Sequence, residues 1–491
     1  MTYDYDLIVV GGGAAGLVAA KLGAGLGKKV AIVEKSRLGG ECTLYGCVPS
    51  KTLIKTAKVF RQIADPGAVG LAAARPPSGK NEAAGPPPAA AAAAYGTTGV
   101  FPHVRSVVEK VYQGHRPEVL EAQGIRVFIG QTRFLDNHRI ETAGAVISAR
   151  SFIICTGSGP LVPPIPGIDT VPYLTNETLF DLDGPPASMA VLGGGPIGME
   201  MAQAFAYLGT AVTVIEAGGQ VLAREDRELA RLLADRMAAR GIALLTNTKA
   251  VGVARKGDGV DISVEETSGR RRNVAAERLL VAVGRKPNVE GLNLEAAGVD
   301  YSQKGIRADG YMRTTAPNVY TCGDVTGPYQ FSHMAEYQAR IAARNALIPF
   351  KARADYANYI WCTFTDPEFA HAGLTEEEAV ARHGAVRVYR WRFADTDRGR
   401  TEGEEFGMAK FICDRKGRLL GAHILGARAG ELIHEAQIVK TLGIPFHKLD
   451  SVIHVYPTLA DVVRQPAKLA HIDRLQGSLL VRIARRLFGK S

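Results

Sequence analysis

Two cysteines five residues apart, Cys42 and Cys47, are the residues of this sequence best suited to redox chemistry. Five residues of a regular helix rise about 7.5 Å, which exceeds the roughly 4.4–6.8 Å between the Cα atoms of a disulfide. A bond between them needs a distorted helix start, which Gly46 permits. Small, strained disulfides are the reducible, catalytic kind. The alternatives are two unrelated buried thiols or half of a metal site, but zinc pairs usually have shorter spacing and a second pair elsewhere.

A glycine-rich motif opens the chain. It runs from Gly11 through Gly13 to Gly16, directly after a short apolar run, and an Ala- and Leu-rich helical pattern follows it. A second strand pattern then ends at Glu34. In a strand–turn–helix–strand unit of this kind, the glycines make the turn, admit a pyrophosphate and let the helix pack on the strand. The pyrophosphate lies at the helix N-terminus. Glu34 can then accept the ribose hydroxyls of an adenosine.

The same unit returns later in the chain. Gly193, Gly195 and Gly198 repeat the spacing of the first motif, and the following strand pattern ends at Glu216. The first glycine and the acid are both displaced by 182 positions from their counterparts. One such motif can be a turn that merely requires glycine, but two in the same register favour two dinucleotide sites. Because the cysteines adjoin the first, the simplest assignment is FAD to the first and a nicotinamide nucleotide to the second.

The residues around the cysteines resemble the signature of the class I pyridine nucleotide–disulfide oxidoreductases, which include mercuric reductase and dihydrolipoamide dehydrogenase. The matching stretch runs from Gly39 to Lys51 and contains both cysteines. The resemblance implies that Cys42 attacks the substrate, Cys47 lies against the flavin, and Lys51 lies near the flavin's reactive edge. It also pairs Lys51 with Glu200. Other matching positions are expected to line the cofactor sites: Gly157, Gly284 and Asp324.

The resemblance implies an α/β fold with two dinucleotide-binding (Rossmann-like) domains, the second inserted in the first, and an α+β C-terminal dimerisation domain. Beside these domains, we expect a low-complexity insertion and a basic amphipathic tail. The expected ranges are 1–158 and 286–348 for the FAD-binding domain, 65–102 for the insertion within it, 159–285 for the NAD(H)-binding domain, 349–472 for the dimerisation domain, and 473–491 for the tail.

One stretch departs from the family pattern. Disulfide reductases of this family typically read His-Pro-Thr-x-x-Glu near the C-terminus, whereas this chain has Tyr456 at the His position and Asp461 at the Glu position. A phenol with a reference pKa of about 10 is a poor base near pH 7. Mercuric reductases also carry Tyr there, although this chain lacks their terminal cysteine pair. His454, two residues earlier, is a substitute candidate for the base.

Glu216 favours NAD(H) over NADP(H), because a carboxylate binds the ribose 2′-hydroxyl and repels a 2′-phosphate. We expect no resident metal site and no nucleic-acid partner, since the net charge of +10 accompanies no nucleic-acid motif. Six cysteines in 491 residues fit a reducing cytoplasm. The basic tail could lie on a membrane surface, but packing on its own protein is the commoner outcome.

The first functional hypothesis is an FAD-dependent, NADH-preferring homodimeric oxidoreductase, mercuric reductase-like, that passes electrons to a thiol, disulfide or metal-ion acceptor through Cys42 and Cys47. The second is a dihydrolipoamide dehydrogenase with an exchanged base. A third, from another class, is a flavoprotein that serves as a binding or assembly subunit. Retention of both cysteines, Lys51 and Glu200 argues against the third.

Overall fold

The computed structural model describes residues 2–65 and 96–477. The first segment builds a parallel sheet around β1, which pairs with β2 on one side and β6 on the other. Leu7, Ile8 and Val9 of β1 are fully buried, as expected for a central strand covered on both faces. The elements are β1 (Tyr5–Val10), α1 (Ala14–Gly25), β2 (Val30–Glu34), α2 (Gly40–Leu44), α3 (Cys47–Ala64), α4 (Val100–Tyr112), α5 (Pro117–Glu121), β3 (Ile125–Ile129), β4 (Thr132–Phe134), β5 (Arg139–Thr142), β6 (Ala145–Ile154) and β7 (Ser158–Pro160).

The chain then forms a second, smaller unit of the same kind, with the parallel strand order β10-β9-β8-β14 and an antiparallel sheet beside it. The short strands β7 and β15 pair antiparallel where the chain enters and leaves this unit. Its elements are β8 (Ser188–Leu192), α6 (Pro196–Tyr207), β9 (Ala211–Ile215), α7 (Arg227–Ala239), β10 (Ala243–Leu245), β11 (Thr248–Lys256), β12 (Gly259–Glu266), β13 (Arg271–Ala276), β14 (Arg278–Val281) and β15 (Arg285–Pro287).

The chain returns to the first sheet after this unit, because β18 pairs parallel with β6. Helix α8 packs against α1 and completes that domain. The predicted topology, a second dinucleotide fold inserted in the first, is therefore confirmed. The returning elements are β16 (Tyr301–Ser302), β17 (Gly305–Ile306), β18 (Val319–Thr321) and α8 (Ser332–Leu347).

The C-terminal domain is a five-stranded antiparallel sheet in the order β19-β20-β23-β22-β21. Its buried core includes Phe411, Ile424 and Phe446, together with residues of the last two helices. The α+β character implied by the family resemblance is confirmed. The elements are β19 (Ile360–Thr363), β20 (Glu368–Gly373), α9 (Glu376–His383), β21 (Arg387–Arg392), α10 (Asp397–Glu402), β22 (Met408–Cys413), β23 (Leu419–Gly426), α11 (Ala429–Thr441) and α12 (Asp461–Gly477).

Two predicted boundaries differ from the helix ends in the structure. Helix α4 begins at Val100, inside the range assigned to the insertion, because Val100 and Phe101 bury their side chains in the core. Helix α12 continues to Gly477, past the predicted start of the tail at 473. The remainder of both segments, 66–95 and 478–491, lies outside the described residues. Within 2–65 and 96–477, no helix combines the length and apolar character needed to cross a membrane.

Candidate functional site

The two cysteines of the motif lie on different helices. Cys42 is in α2, which ends at Leu44, and Cys47 is the first residue of α3. Between them, Gly46 has φ −121° and ψ −108°, outside the helical region. The expected distortion is therefore a break between two helices, which brings the thiols together. Both thiols are free, and they are close enough for a hydrogen bond between them to shift the pKa of each.

The two thiols differ in their affinity for a proton. The hydrogen bond from Cys42 lowers the pKa of Cys47 to about 6, and Ser332 and the Lys51 charge act in the same direction against burial. The Ser332 hydroxyl oxygen lies 3.5 Å from the Cys47 sulfur. The same hydrogen bond between the thiols, together with burial, raises the pKa of Cys42 far above its usual range. These opposite shifts make Cys47 the more acidic of the two thiols and Cys42 the hydrogen-bond donor.

Lys51 and Glu200 form an ion pair next to the thiols. The Lys51 ammonium lies 2.7 Å from one Glu200 oxygen, and the other oxygen accepts a hydrogen bond from the Phe364 backbone amide at 2.8 Å. Burial alone would lower the pKa of Lys51, but the charge of Glu200 raises it overall. The pair joins α3 of the first domain, α6 of the inserted domain and the residue after β19 of the C-terminal domain.

The first glycine motif forms a tight turn between β1 and α1. Gly11 has φ +110°, and a Cβ added there would collide with the backbone of Cys155. Gly13 caps α1 with no side-chain hydrogen bond, so the first amides of the helix remain open to an anion. Glu34 accepts from the Gly12 amide at 2.8 Å and thereby holds the turn against the end of β2.

The second motif has the same geometry. Gly193 has φ +102°, and Gly195 caps α6 without a side-chain bond. Glu216 accepts from the Gly194 amide at 2.7 Å, as Glu34 does from Gly12, and from the Gly218 amide at 2.6 Å. A Cβ added to Gly198, the last glycine of this motif, would collide with the backbone of its first glycine, Gly193. The last and first glycines of the other motif are related in the same way. The repeat seen in the sequence is thus a repeat of the turn.

A cleft of about 410 Å³ runs along the first domain from Glu34 to Cys42. Gly157, with φ +71°, lines the cleft together with Asp324. The Ser158 hydroxyl donates to Asp324 at 2.7 Å. Gly11, Gly12 and Gly13 line the cleft at the N-terminus of α1, and Cys42 lines it as well, so the residues present are those expected around a flavin dinucleotide. Gly284, with φ +146°, lies on the connection back from the inserted domain.

Sequence reasoning missed the ion pair between Glu41 and Arg285 beneath this cleft. Asn176 also donates to Glu41 at 2.8 Å, and Arg285 lies 3.5 Å from Asp324. Burial raises the pKa of Glu41 despite the Arg285 charge. The pair anchors α2, which carries Cys42, to the crossover strand β15. Its only sequence signal was the position of Glu41 next to Cys42 in the motif.

The structure places the remaining candidates on the C-terminal domain. Tyr456 is 67% exposed, and its hydroxyl donates to Asp397 at 2.7 Å. That carboxylate raises the pKa of Tyr456. Asp461 pairs with Arg464 at 2.8 Å.

His454 is held by two hydrogen bonds, from its ring nitrogens to Glu435 at 2.7 Å and to the Val452 carbonyl at 2.8 Å. Both ring nitrogens are engaged inside the C-terminal domain, which argues against the substitute base considered above. Beside it lies an exposed apolar surface, the loop surface, of Val452, Ile453, Val455 and Tyr456, with Ile453 98% exposed.

Comparison with known proteins gives a consistent result. The family model "Pyridine nucleotide-disulphide oxidoreductase" matches residues 5–339, and the dimerisation domain of the same family matches 359–467. A mercuric reductase of Bacillus cereus is 32% identical over 94% of this chain and 70% of its own length. A dihydrolipoyl dehydrogenase of Thermus scotoductus is 35% identical over 95% of this chain and 97% of its own length.

Among solved structures, the Cu(II) complex of the HOCl-induced flavoprotein disulfide reductase RclA from Escherichia coli is similar to this chain with a TM-score of 0.83 and 28% identity. The alignment covers 96% of this chain and all of that one. The likeness extends over both dinucleotide folds and the C-terminal domain.

Proposed function

This chain belongs to the pyridine nucleotide–disulphide oxidoreductase family, and on that premise we propose that it is an NADH-preferring, FAD-dependent reductase of the mercuric reductase-like branch. Electrons leave through the Cys42–Cys47 pair to a metal ion or a small thiol-reactive acceptor. The observation that carries the proposal is geometric: Cys42 and Cys47 lie at the break between α2 and α3, next to the Lys51–Glu200 ion pair and the cleft of the first domain.

A flavin bound in the cleft between Glu34 and Cys42 would supply the two-electron carrier. Cys47, with its lowered pKa, is the thiol suited to lie against that ring as a thiolate. Lys51, held by Glu200, places a positive charge at the same edge. Cys42, on the other helix, is the thiol that meets the acceptor. Oxidation of the pair to a disulfide releases the two electrons that the acceptor takes up.

Tyr456 decides between acceptors in this proposal. A thiol–disulfide exchange needs a base to hold the attacking sulfur as thiolate, and a phenol with a raised pKa does not serve at neutral pH. A soft metal ion needs no such base, because the ion itself displaces the thiol proton on binding. The relative in complex with Cu(II) and the mercuric reductase relatives support a metal-ion acceptor.

The proposal assigns NADH to the second dinucleotide fold. Glu216 stands at the end of β9 with both oxygens on backbone amides, and its charge would repel a 2′-phosphate. The working unit is a homodimer. The loop surface is apolar, exposed and within the matched dimerisation domain, so a second copy would cover it and bring Tyr456 toward that copy's thiols.

The test is a steady-state screen of the purified flavoprotein with NADH and NADPH against Hg(II), Cu(II), lipoamide, glutathione disulfide and quinones. The proposal expects NADH-linked metal-ion reduction that is lost in Cys42→Ser and in Cys47→Ser. Turnover of lipoamide as fast as flavin reduction would replace it with dihydrolipoyl dehydrogenase activity. That second candidate is favoured by the 35% identity to the Thermus scotoductus enzyme over nearly its full length.

A further inference from the structure

Three buried residues meet where the inserted domain contacts the C-terminal domain, away from the thiols. Glu225 lies two residues before the start of α7, while His371 on β20 and His423 on β23 are directly opposite each other in the sheet. One ligand atom from each lies within 4.8 Å of the other two. All three side chains are almost completely shielded from solvent. The chemistry described above uses none of them.

The hydrogen bonds of the two imidazoles fix which nitrogen faces the cluster. His371 Nε2 donates to the Gly373 carbonyl at 2.8 Å, and His423 Nε2 donates to the Leu374 carbonyl at 2.9 Å. A carbonyl oxygen only accepts, so each Nε2 carries its proton. A neutral imidazole has one N–H and one nitrogen lone pair. Each Nδ1 therefore presents a lone pair to the cluster.

Glu225 is oriented by an aromatic neighbour. The Trp361 indole N–H donates to Glu225 Oε1 at 2.5 Å, and the indole ring stacks on His371 with centroids 3.7 Å apart. The second oxygen, Oε2, is left facing His371 Nδ1 at 3.0 Å. Outer hydrogen bonds of this kind orient the ligands of metal sites: the two imidazole N–H groups donate to backbone carbonyls, and the indole N–H donates to the carboxylate.

One atom in the cluster has no partner. His423 Nδ1 is buried and unbonded within the part of the chain that the structure describes. A proton shared by Glu225 and His371 satisfies those two groups and leaves His423 Nδ1 orphaned, at a cost that folded proteins normally avoid. A cation bound between the three groups satisfies all of them.

We infer that Glu225, His371 and His423 form a binding site for a divalent transition-metal ion of the zinc class. Two imidazole nitrogens and one carboxylate oxygen are a donor set that suits Zn²⁺ and its borderline neighbours. Three protein ligands leave a fourth position for water. A cleft of about 1420 Å³, lined by Glu225, Trp361 and His371, gives that position a route to solvent.

Charges of both signs surround the cluster: the Arg224 guanidinium and the Asp226 carboxylate act on His371 in opposite directions. The nearby Lys410 ammonium is already surrounded by Asp226 at 2.9 Å, Glu228 at 2.9 Å and Glu376 at 2.6 Å, so its charge is offset. Ligands about 2.1 Å from zinc in tetrahedral geometry lie about 3.4 Å apart. Glu225 Oε2 and His371 Nδ1, at 3.0 Å, are already closer than this, and the other separations, at most 4.8 Å, need to shorten by up to about 1.4 Å, a movement within side-chain adjustment.

The site would cross-link two domains. Glu225 belongs to the inserted domain, and both histidines belong to the C-terminal sheet. The inserted domain bears the second dinucleotide motif, so a bound ion would fix its position relative to the Lys51–Glu200–Phe364 junction. Because the ligands are preformed only in the folded chain, the ion should stabilise the protein.

The test counts bound zinc in the full-length flavoprotein carrying Cys42→Ser and Cys47→Ser, which removes the competing thiols. After EDTA treatment and titration with Zn²⁺, elemental analysis should find one zinc per chain, and the thermal midpoint should rise. Loss of an outer hydrogen bond typically weakens metal binding 10–100-fold. Loss of a direct ligand should weaken it at least as much, so His423→Gln and Glu225→Gln should each lower the zinc affinity by about 100-fold or more. His103→Gln, at an exposed position of α4, is the matched control and should bind normally.

X-ray absorption at the zinc edge on the parent protein provides a readout that needs no ligand variant. It should show only nitrogen and oxygen ligands at about 2.0–2.2 Å. The inference would be overturned if the protein carrying only Cys42→Ser and Cys47→Ser bound no stoichiometric zinc. It would also be overturned if His423→Gln and His103→Gln bound zinc equally well with unchanged flavin content.

Discussion

Replacing Cys42 by alanine, and separately by serine, tests whether the inter-thiol hydrogen bond is what makes Cys47 a thiolate. That bond is the largest influence lowering the pKa of Cys47 to about 6. With this pKa, about 90% of Cys47 is ionised at pH 7, whereas a cysteine at its reference pKa of about 8.5 is only about 3% ionised. Serine retains a donor at this position and alanine does not. The thiolate fraction at pH 7 should therefore stay high in Cys42→Ser and fall toward the lower limit in Cys42→Ala.

The assay is a pH titration of the long-wavelength charge-transfer absorbance between the Cys47 thiolate and bound flavin, which needs no reductant in these variants. Cys42→Ser should show the band at pH 7 with a midpoint near 6. Cys42→Ala should lose most of the band at pH 7 and regain it at higher pH, because alanine cannot donate. Identical titration curves for the two variants would refute the role given to the Cys42 hydrogen bond. Cys47→Ser is the control, and it should show no band at any pH.

Three further predictions concern the ion pair beside the thiols, the second dinucleotide fold and the C-terminal loop. Glu200→Gln should lower the midpoint of the charge-transfer titration in the reduced enzyme, because the Glu200 charge raises the pKa of Cys47; an unchanged or higher midpoint would count against it. Glu216→Ala should lower kcat/KM for NADH by about 10-fold or more, because a charged hydrogen bond to the ribose is lost, and it should narrow the preference for NADH over NADPH. A higher kcat/KM with NADPH in the wild-type protein would contradict the assignment. Tyr456→His combined with Asp461→Glu should raise disulfide reduction by up to about 10²- to 10⁴-fold, measured with lipoamide and glutathione disulfide, while flavin reduction by NADH stays unchanged.

The features that the sequence predicted correctly are those set by local chemistry. Gly11 and Gly193 adopt positive φ because the chain reverses there against a neighbouring strand, and any Cβ would collide. A turn of this kind is readable from glycine spacing alone. The break between α2 and α3 at Gly46 was likewise expected from the cysteine spacing, although the sequence indicated a distorted helix rather than two helices.

The features that sequence reasoning missed are formed by residues far apart in the chain. Ser332 lies 285 positions from Cys47, and only the return of the chain after the inserted domain brings it to the thiol. Glu225 and His371 are 146 positions apart and sit in different domains. Neither histidine has metal-ligand spacing within its own strand, so the absence of a metal site was the natural expectation. Tertiary pairing of β20 with β23 creates the cluster.

The sequence showed that Tyr456 replaces the histidine of the family pattern, but it did not show the consequence of that replacement. The structure shows the phenol on an exposed apolar loop, bonded to Asp397, and shows His454 fully engaged with Glu435 and a carbonyl. The hypothesis that His454 replaces the missing base stays a prediction, and it requires a ring nitrogen to leave its hydrogen bond to Glu435 or to the Val452 carbonyl. Sequence position does not reveal these two contacts.

An anaerobic titration of the purified protein with NADH tests the central claim most directly, namely that Cys42 and Cys47 form a redox centre in series with the flavin. Two equivalents of NADH should be consumed per flavin. The charge-transfer band should rise with the first equivalent, while the flavin stays oxidised, and the flavin should bleach only with the second. Complete bleaching by a single equivalent with no intervening band would contradict the account.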